Sequence, residues 1–374
     1  MTKDTGQLVH TILPTSLEPD SITVSSDLGF QTLCSYNWQK DGKAILVPGG
    51  PPKWTPPPLP VALPQDAGLQ FIDQNTSRVP KYPFEPVFQA LSIMNPSMQL
   101  DDVDLILNRN SLRKLLDFAA GKRQDPFCMG LHIVKDTLFI SRKEKHARMM
   151  IHGAANSGYG HNFEEAFTTP ENGLDRSSSH HRVIRYRLGH LDCVVRFEVD
   201  AYYENTDESS AVSSTQHSID NITATLAQMG VNKPQPTAKS REGTNAISKG
   251  TYIDSSKLAE TKARKAERLN DAMPQLWFGR TPYLLVGKHI KGVVNSTTCT
   301  HAETQFAQWE GANQEKLRKL VSLLAELKQT VRETERRSAV LVCEDRDGPL
   351  QVFTAKNEVN VLPKNIVIKH WSVE

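Results

Sequence analysis

Alternating apolar and polar positions predict two strands near the middle of the chain. The segment RVIRYRLGHLDCVVRFEVDAYY (Arg182–Tyr203) is typical of two strands that join at Gly189-His190. In the second strand, the alternation places Cys193, Val195, Phe197, Val199 and Ala201 on one face and Arg196, Glu198, Asp200 and Tyr202 on the other. Glu198 and Asp200 are therefore neighbours on the polar face of a strand whose other face is apolar.

Further apolar patterns predict helices and strands mixed along the chain. A helix follows the apolar LIL of DVDLILNRNSLRKLLDF (Asp102–Phe118), and the segment Glu303–Ser338 carries the apolar stripe of one long amphipathic helix. Strands are predicted in the hairpin GLHIVKDTLFISRKE (Gly130–Glu144), around Leu258–Lys262, in Tyr283–Gly287, and in AVLVCE and LQVFTA near the C-terminus. These elements predict an α/β protein with a mixed β-sheet core flanked by helices.

Composition shifts divide the chain into an N-terminal segment, residues 1–65, and a main domain, residues 66–374. Proline lacks a backbone N–H, so VPGGPPKWTPPPLP (Val47–Pro60) cannot form a regular helix or a central strand. With Trp54 as an apolar anchor, we expect this Pro-rich segment to wrap around the core. Residues 204–250 are rich in Ser, Thr, Asn, Gln and Pro and predict a disordered insertion between two core strands.

The overall composition of the 374 residues is that of an ordinary globular protein, with 38% hydrophobic and 23% charged residues. Since the net charge is only +2, a site for a polyanion must be a local patch. No secretory signal and no apolar run of about 20 residues is found. The five cysteines are odd in number and lack CxxC spacing, which predicts reduced thiols in an intracellular protein.

The two acids in VRFEVDAY (Val195–Tyr202) require an explanation, because an unpaired carboxylate is costly to bury. They could lie on the solvent-exposed face of an edge strand, or form an ion pair with an arginine such as Arg196. They could also bind a metal. In LAETKAR (Leu258–Arg264), alternation places Glu260 and Lys262 on one face of a second strand.

Two strands carrying E-V-D and E-T-K would bring three carboxylates and one ammonium to the same end of a sheet. Carboxylate oxygens suit Mg²⁺ or Mn²⁺, which lowers the pKa of a bound water, and Lys262 could offset charge on a phosphate. The chemistry indicated is hydrolysis of a phosphodiester or pyrophosphate. Alternatively, Glu260-Thr261-Lys262 is only a solvated charged face.

The order D…E-x-K is the pattern of the PD-(D/E)XK nuclease superfamily. Other segments resemble one family of that superfamily, the DXO-like (RAI-type) RNA decapping nucleases, and in particular a fungal branch of the family. LNRNSLRKLL resembles the arginine motif through Arg109, and GYGHNFEEAF resembles the glutamate motif through Phe163-Glu164. FEVDAYY and AETKAR are similar to the next two motifs, and PQLWFGRTPYLLVG is similar to the glutamine motif through Gln275. The matching segments cover roughly residues 100–295 in the family's order.

The resemblance implies a role for each matching residue. Glu164, Asp200, Glu260 and the backbone carbonyl of Thr261 would bind Mg²⁺ or Mn²⁺. Catalysis would involve Lys262, Gln275 and Glu198. Glu198 would lie beside the metal or bind a second metal ion, and Arg109 would bind an RNA phosphate. The chain departs from the family pattern at Thr261, at Asn108, and in extra residues between Tyr159 and Phe163, which concerns the substrate pocket more than the metal site.

The resemblance also implies an activity at RNA 5′ ends. The expected enzyme removes incomplete or atypical caps, or 5′ triphosphate as pyrophosphate, and degrades RNA onward from 5′ to 3′, in the nucleus or the cytoplasm. Two alternatives stay open: a PD-(D/E)XK enzyme that cuts DNA, and a non-catalytic partner of a 5′–3′ exoribonuclease. KARKAER (Lys262–Arg268) could be a nuclear localisation signal, an RNA-binding surface or the solvated face of a helix. Four histidines are expected on the surface, namely His161, His180, His181 and His190.

Overall fold

The computed structural model describes residues 5–40, 42, 44–144, 148–152, 157–204, 243–266, 268–357 and 360–372. Its strands are β1 (Thr5–Ile12), β2 (Gln31–Gln39), β3 (Ala44–Gly49), β4 (Lys53–Trp54), β5 (Val61–Ala62), β6 (Ala67–Phe71), β7 (Leu105–Asn108), β8 (Phe127–Val134), β9 (Thr137–Arg142), β10 (Arg148–His152), β11 (Thr168–Thr169), β12 (Ser177–Leu188), β13 (Leu191–Val199), β14 (Ala201–Tyr202), β15 (Asn245–Gly250), β16 (Leu258–Arg264), β17 (Tyr283–Ile290), β18 (Val293–His301), β19 (Ser338–Cys343) and β20 (Leu350–Ala355). Its helices are α1 (Gln74–Arg78), α2 (Glu85–Met94), α3 (Arg109–Ala119), α4 (Gly160–Phe167), α5 (Leu269–Gly279), α6 (Phe306–Arg332) and α7 (Lys364–His370).

Two large mixed sheets organise these strands. The first has eleven strands in the order β1-β20-β19-β8-β9-β7-β13-β12-β2-β3-β15, and the second has seven in the order β11-β4-β14-β16-β17-β18-β5. Strands β6 and β10 form a separate pair. Both large sheets contain parallel and antiparallel neighbours. The predicted α/β class is confirmed, with the strands divided between two sheets.

The chain passes from one large sheet to the other at Asp200. Strand β13 lies inside the eleven-stranded sheet, parallel to β7 and antiparallel to β12, whereas β14 pairs with β16 in the seven-stranded sheet. Asp200 is the single residue between β13 and β14. The acids of E-V-D therefore lie at the junction of the two sheets.

Helices cover both faces of the eleven-stranded sheet. On one face α3, α5 and α6 bury apolar residues against β7, β8 and β13, and on the other α2 and α7 enclose Trp38, Phe88, Phe139 and Trp371. Burying each large apolar side chain stabilises the fold by roughly 1.5–3 kcal/mol. Helix α6 confirms the long amphipathic helix, since Leu317, Leu320, Leu324, Leu327 and Val331 are all buried.

The N-terminal segment, residues 1–65, for which the Pro-rich stretch predicts a wrapping role, contains strands β1 to β5. It supplies strands to both large sheets: β1 pairs with β20 and β2 with β12 in the eleven-stranded sheet, and β4 pairs with β14 in the seven-stranded sheet. The reason is the run QTLCSYNWQ (Gln31–Gln39), whose Leu33, Tyr36 and Trp38 are buried as in any core strand. The Pro-rich stretch itself forms only the short strands β4 and β5.

Most of the predicted insertion, residues 205–242, lies outside the described residues. Its last part, Asn245–Gly250, forms the edge strand β15 and pairs in parallel with β3. The helix, the hairpin and the strand pair predicted at Asp102–Phe118, Gly130–Glu144 and Arg182–Tyr203 are all confirmed.

The prediction that four histidines lie on the surface is wrong for two of them, His180 and His181. His180 and His181 are only 2% and 5% exposed, because β12 begins at Ser177 and is covered by neighbours on both sides. His161 and His190 are exposed, as predicted.

The five cysteines are unpaired. Among the described residues, no helix is both long and apolar enough to cross a bilayer.

Candidate functional site

The predicted acid strands meet at the junction of the two sheets. Ala201 of β14 pairs with Ala259 of β16, which brings Asp200 beside the E-T-K segment. The backbone N–H of Thr261 donates to Asp200 Oδ2 at 2.8 Å. The two segments that alternation singled out, 61 residues apart between Asp200 and Thr261, are therefore in direct contact.

The buried carboxylate of Glu260 is the centre of the site. Lys262 Nζ lies 2.5 Å from its Oε1, the Gln275 side-chain amide donates to the same oxygen, and Arg109 Nη2 lies 3.2 Å from Oε2. Burial alone would raise the pKa of Glu260, but the charges of Lys262 and Arg109 outweigh it and lower the pKa to about 2. Glu260 is therefore ionised throughout the physiological range.

The other three acids have raised pKa values. Desolvation and the charge of Glu260 raise the pKa of Asp200 to about 8. Desolvation and the charges of Asp200 and Glu198 raise the pKa of Glu164 well above its ordinary value. Glu198 is accessible from the cleft, yet the surrounding protein desolvates its carboxylate and raises its pKa to about 7. Four carboxylates thus share one site that holds them against their mutual repulsion.

The donor set fits a hard divalent cation. Carboxylate oxygens are the ligands that Mg²⁺ and Mn²⁺ prefer, and a cation would offset both the desolvation and the mutual repulsion that raise the pKa values of Glu164 and Asp200. The buried Oε2 of Glu260 accepts no hydrogen bond. Within the described part of the chain, however, no three His, Cys, Asp or Glu side chains already surround one point as metal ligands. Lys262 and Arg109 instead supply the positive charge next to Glu260.

Helix α4 carries Glu164 and is fixed by aromatic packing. Phe163 is fully buried against Gly287 of β17, where a larger residue would collide with the Phe163 ring. Phe167 stacks on Trp54 with ring centroids 5.6 Å apart. The Pro-rich segment therefore supports the acid site through the contact of Trp54 with Phe167, which lies one helical turn from Glu164.

Arg109 begins helix α3 and is largely buried at the wall of a cleft. It is 7% exposed, stacks over the Phe197 ring at 5.1 Å, and donates from Nη2 to the Glu198 carbonyl oxygen. One turn further along, Arg113 donates to Gln275 Oε1 at 3.1 Å. The predicted arginine therefore joins the acid strands together, and Arg113 extends the positive charge from Gln275 towards the solvent.

A cleft of about 430 Å³ leads from these residues to the surface. Arg109, Glu164, Glu198, Asp200 and Gln275 line it, so it contains most of the predicted site. It also contains Asp73, Arg113, Arg142, His181 and Arg196, to which the motifs assign no role in the site. Two of these had a local signal, because Arg113 lies at i+4 from Arg109 on the same face of α3 and Arg196 alternates with Glu198 along β13.

Arg196 does not pair with the acids beside it, so the simplest explanation of those acids is wrong. Its guanidinium donates to Asn108 Oδ1 at 2.9 Å and to the Pro83 carbonyl oxygen at 2.6 Å, and it stacks over the Phe84 ring. The alternative of an exposed edge strand is also wrong, since β13 is a central strand.

Comparison with known protein families gives one match over almost the whole chain. A family model described as a domain of unknown function, DUF8563, matches residues 6–371. No curated protein matches the sequence.

Several solved structures share the fold. Rai1 of Candida albicans in complex with pU5-Mn2+ has a TM-score of 0.59 at 13% identity, and covers 97% of this chain and 99% of its own. Rai1 of S. pombe has a TM-score of 0.57 at 12% identity, covering 92% and 98%. Dxo1 of K. lactis in complex with manganese has a TM-score of 0.51 at 9% identity, covering 96% and 98%. At these identities the matches show the fold, and the DXO-like fold predicted from the motifs is confirmed.

Proposed function

The chain belongs to the family described as a domain of unknown function, DUF8563, and we propose that it is a metal-dependent nuclease that acts at the 5′ ends of RNA. The observation that carries the proposal is the convergence of seven residues, predicted in order along the chain. Five of them line one cleft, and the other two, Glu260 and Lys262, join them through the contacts of Glu260 with Gln275, Arg109 and Lys262. The seven residues are Arg109, Glu164, Glu198, Asp200, Glu260, Lys262 and Gln275. A fold shared with Rai1 and Dxo1 supports the same conclusion.

The cofactor of this proposal is Mg²⁺ or Mn²⁺. Glu164, Asp200, Glu260 and the carbonyl oxygen of Thr261 would hold it, and it would polarise the phosphate and make a water more acidic. The related complexes of C. albicans Rai1 and K. lactis Dxo1 contain manganese, which supports a divalent metal. Deprotonation of Asp200 and Glu164 accompanies binding, because their pKa values are raised.

The remaining residues handle the water and the phosphate. The Gln275 amide, held between Arg113 and Glu260, orients the attacking water, and Lys262 offsets negative charge that builds up on the phosphate oxygens. The Glu198 carboxylate, with a pKa near 7, accepts the proton of the water. The water oxygen bonds to phosphorus while the bond from phosphorus to the leaving oxygen breaks. Arg109 and Arg113 supply positive charge for the neighbouring phosphates.

The substrates of the proposed enzyme are RNAs with an incomplete or atypical cap, which it removes, or with a 5′ triphosphate, from which it releases pyrophosphate. It then degrades the RNA from 5′ to 3′. The complex of C. albicans Rai1 with pU5 supports an RNA 5′ end as ligand. The cleft, which is lined by arginines and amides as well as acids, suits such a polyanionic end.

A second candidate is a non-catalytic partner of a 5′–3′ exoribonuclease. The observation that favours it is the carboxylate of Glu260, which Lys262, Gln275 and Arg109 already engage. In that case the cations would replace the metal and stabilise the fold without turnover. Calorimetry separates the two candidates, since a partner of this kind would show no heat of Mg²⁺ or Mn²⁺ binding.

The direct test uses 5′-labelled triphosphate, capped and monophosphate RNAs with Mg²⁺ or Mn²⁺, and single-stranded DNA of the same sequence. We expect the wild-type protein to release labelled product from RNA, and the Glu260→Ala and Asp200→Ala variants to lose this activity. Equal activity in the variants would exclude this site as the catalytic one. Faster cleavage of the DNA would favour a DNA nuclease.

A further inference from the structure

Residues 262–266 and Arg268 of the segment KARKAER (Lys262–Arg268) lie beside the acid site and contribute to a second, basic cavity. This cavity of about 590 Å³ is lined by Arg264, Lys265, Arg268 and Lys291, with Asp271 as its acidic residue. We propose that it binds the phosphates of the RNA chain that lie on the 3′ side of the reacting end. The inference rests on the proposed function, which it extends from the RNA 5′ end to the body of the chain.

Strand β16 connects the acid site directly to the basic cavity. Glu260, Lys262 and Arg264 occupy alternate positions on one face of the strand, and consecutive members of the set are about 7 Å apart along it. The exposure of their side chains rises from 2% to 23% to 31% in that order. The face therefore leads from the buried carboxylate outward, with positive side chains along the exposed part.

Helix α3 and strand β16 bring the positive charges of the two cavities close together. The charge of Arg264 contributes to lowering the pKa of Arg113, after desolvation and the charge of Arg109. Arg113 lines the first cleft, and Arg264 lines the second. A strand of phosphates that leaves the acid site on this side would thus meet Arg113 and Arg264.

The cations of the second cavity are largely available to a ligand. Asp271 lies 3.9 Å from Arg264 and 4.0 Å from Arg268, at the limit of an ion pair. Lys265 and Lys291 are exposed, and in the part of the chain that the structure describes neither has a carboxylate partner. Four cations against one carboxylate give the cavity a positive field that attracts a polyanion.

A fixed turn presents Lys291 to the cavity. Lys291 has a left-handed backbone with φ of 49°, and Gly292 after it packs so closely on Tyr159 and on the Leu63 carbonyl that a side chain would not fit. The N–H of Leu63 donates to the Gly292 carbonyl oxygen at 2.9 Å. Tyr159 also packs against His289 with ring centroids 4.9 Å apart and ring planes inclined at 59°, so the cavity has an aromatic wall beside its cations. Cations combined with aromatic rings are typical of sites for single-stranded nucleic acid.

The test measures RNA binding in EDTA, where hydrolysis cannot consume the probe. The probes are 3′-labelled 5′-monophosphate oligouridylates of 3 and 15 nucleotides, and the full-length protein carries Lys265→Gln together with Lys291→Gln. We expect binding of the 15-mer to weaken at least tenfold and binding of the 3-mer to change less than twofold. The slope of log K against log salt should become shallower by about 1.4, the value for two lost phosphate contacts on a single strand.

The matched control is Lys364→Gln together with Lys369→Gln, which removes two exposed lysines from α7 on another part of the surface. These substitutions should leave both affinities unchanged. Equal losses for the two lengths, or none for either, would overturn the proposal, as would tighter binding of a matching 15-nucleotide DNA than of the RNA. Failure of the proposed function has a different signature, because it is the absence of hydrolysis by the wild-type protein with Mg²⁺ or Mn²⁺.

Discussion

The ammonium group of Lys262 lies 2.5 Å from Glu260 Oε1, two residues earlier on the same strand. Alternation along β16 makes this contact possible, because residues at i and i+2 lie on one face. Glu260 is 2% exposed, so the pair neutralises a carboxylate that could not otherwise be buried at acceptable cost. In the metal-free protein, Lys262 is therefore a structural partner of Glu260 as well as a residue available for chemistry.

Removing this ammonium should destabilise the metal-free protein. In Lys262→Met, Glu260 keeps only Arg109 and the Gln275 amide, and we expect the free energy of unfolding to fall by about 1–3 kcal/mol. Urea unfolding in EDTA measures this loss. The control Lys265→Met changes an exposed lysine on the same segment and should stay within about 0.5 kcal/mol of wild type. If the two variants unfold alike, the Lys262–Glu260 pair does not stabilise the fold.

The raised pKa of Asp200 predicts how the stability of the metal-free protein depends on pH. Its folded pKa of about 8 exceeds the ordinary 3.8, so the folded state binds the proton more tightly than the unfolded chain does. The resulting stabilisation is complete below about pH 3.8 and is lost as the pH rises to about 8. Between pH 5 and pH 8 we therefore expect the melting temperature of wild type to fall relative to that of Asp200→Asn, which cannot ionise.

Thermal melts in EDTA over this pH range check the sign of the effect. The control Asp27→Asn alters an exposed carboxylate and should follow the wild-type curve. Mg²⁺ should raise the melting temperature of wild type more at pH 8 than at pH 6, because the metal binds the deprotonated carboxylate. Parallel curves for wild type and Asp200→Asn would contradict the assigned shift.

Alternation in two short segments predicted that their acids meet at one end of a sheet, whereas their roles in a site came from the family resemblance. The contact of Asp200 with Thr261 follows from strands that carry E-V-D and E-T-K. The same patterns could not show that β13 and β14 belong to different sheets, because sheet membership depends on partners such as Ala259 that are distant in sequence. Asp73 and Arg142 also had no local signal, since they reach the cleft only through tertiary packing.

Two neighbouring glutamates on α4, Glu164 and Glu165, allow a test that distinguishes a role in metal binding from a general effect of losing a negative charge. Glu164 is half-buried and faces the other acids, whereas Glu165 is exposed. We expect Glu164→Ala to reduce metal-dependent hydrolysis on the order of 100-fold or more, the scale for removing an electrostatic contact in a transition state. Glu165→Ala should stay within twofold. Initial rates at several Mn²⁺ concentrations distinguish them, and comparable rates would remove Glu164 from the proposed site.

Packing behind α4 should control the site from a distance. Gly287→Ala places a methyl group into the ring of Phe163, so the helix must shift, and we expect a loss of about 1–3 kcal/mol of stability from overpacking. The shift moves Glu164, which should weaken Mn²⁺ binding measured by calorimetry. Gly311→Ala in α6 is the matched control, because its methyl group meets open space and should stabilise the helix by roughly 0.5–1 kcal/mol. A Gly287→Ala protein that binds Mn²⁺ as tightly as wild type would show that Glu164 is not positioned by this contact.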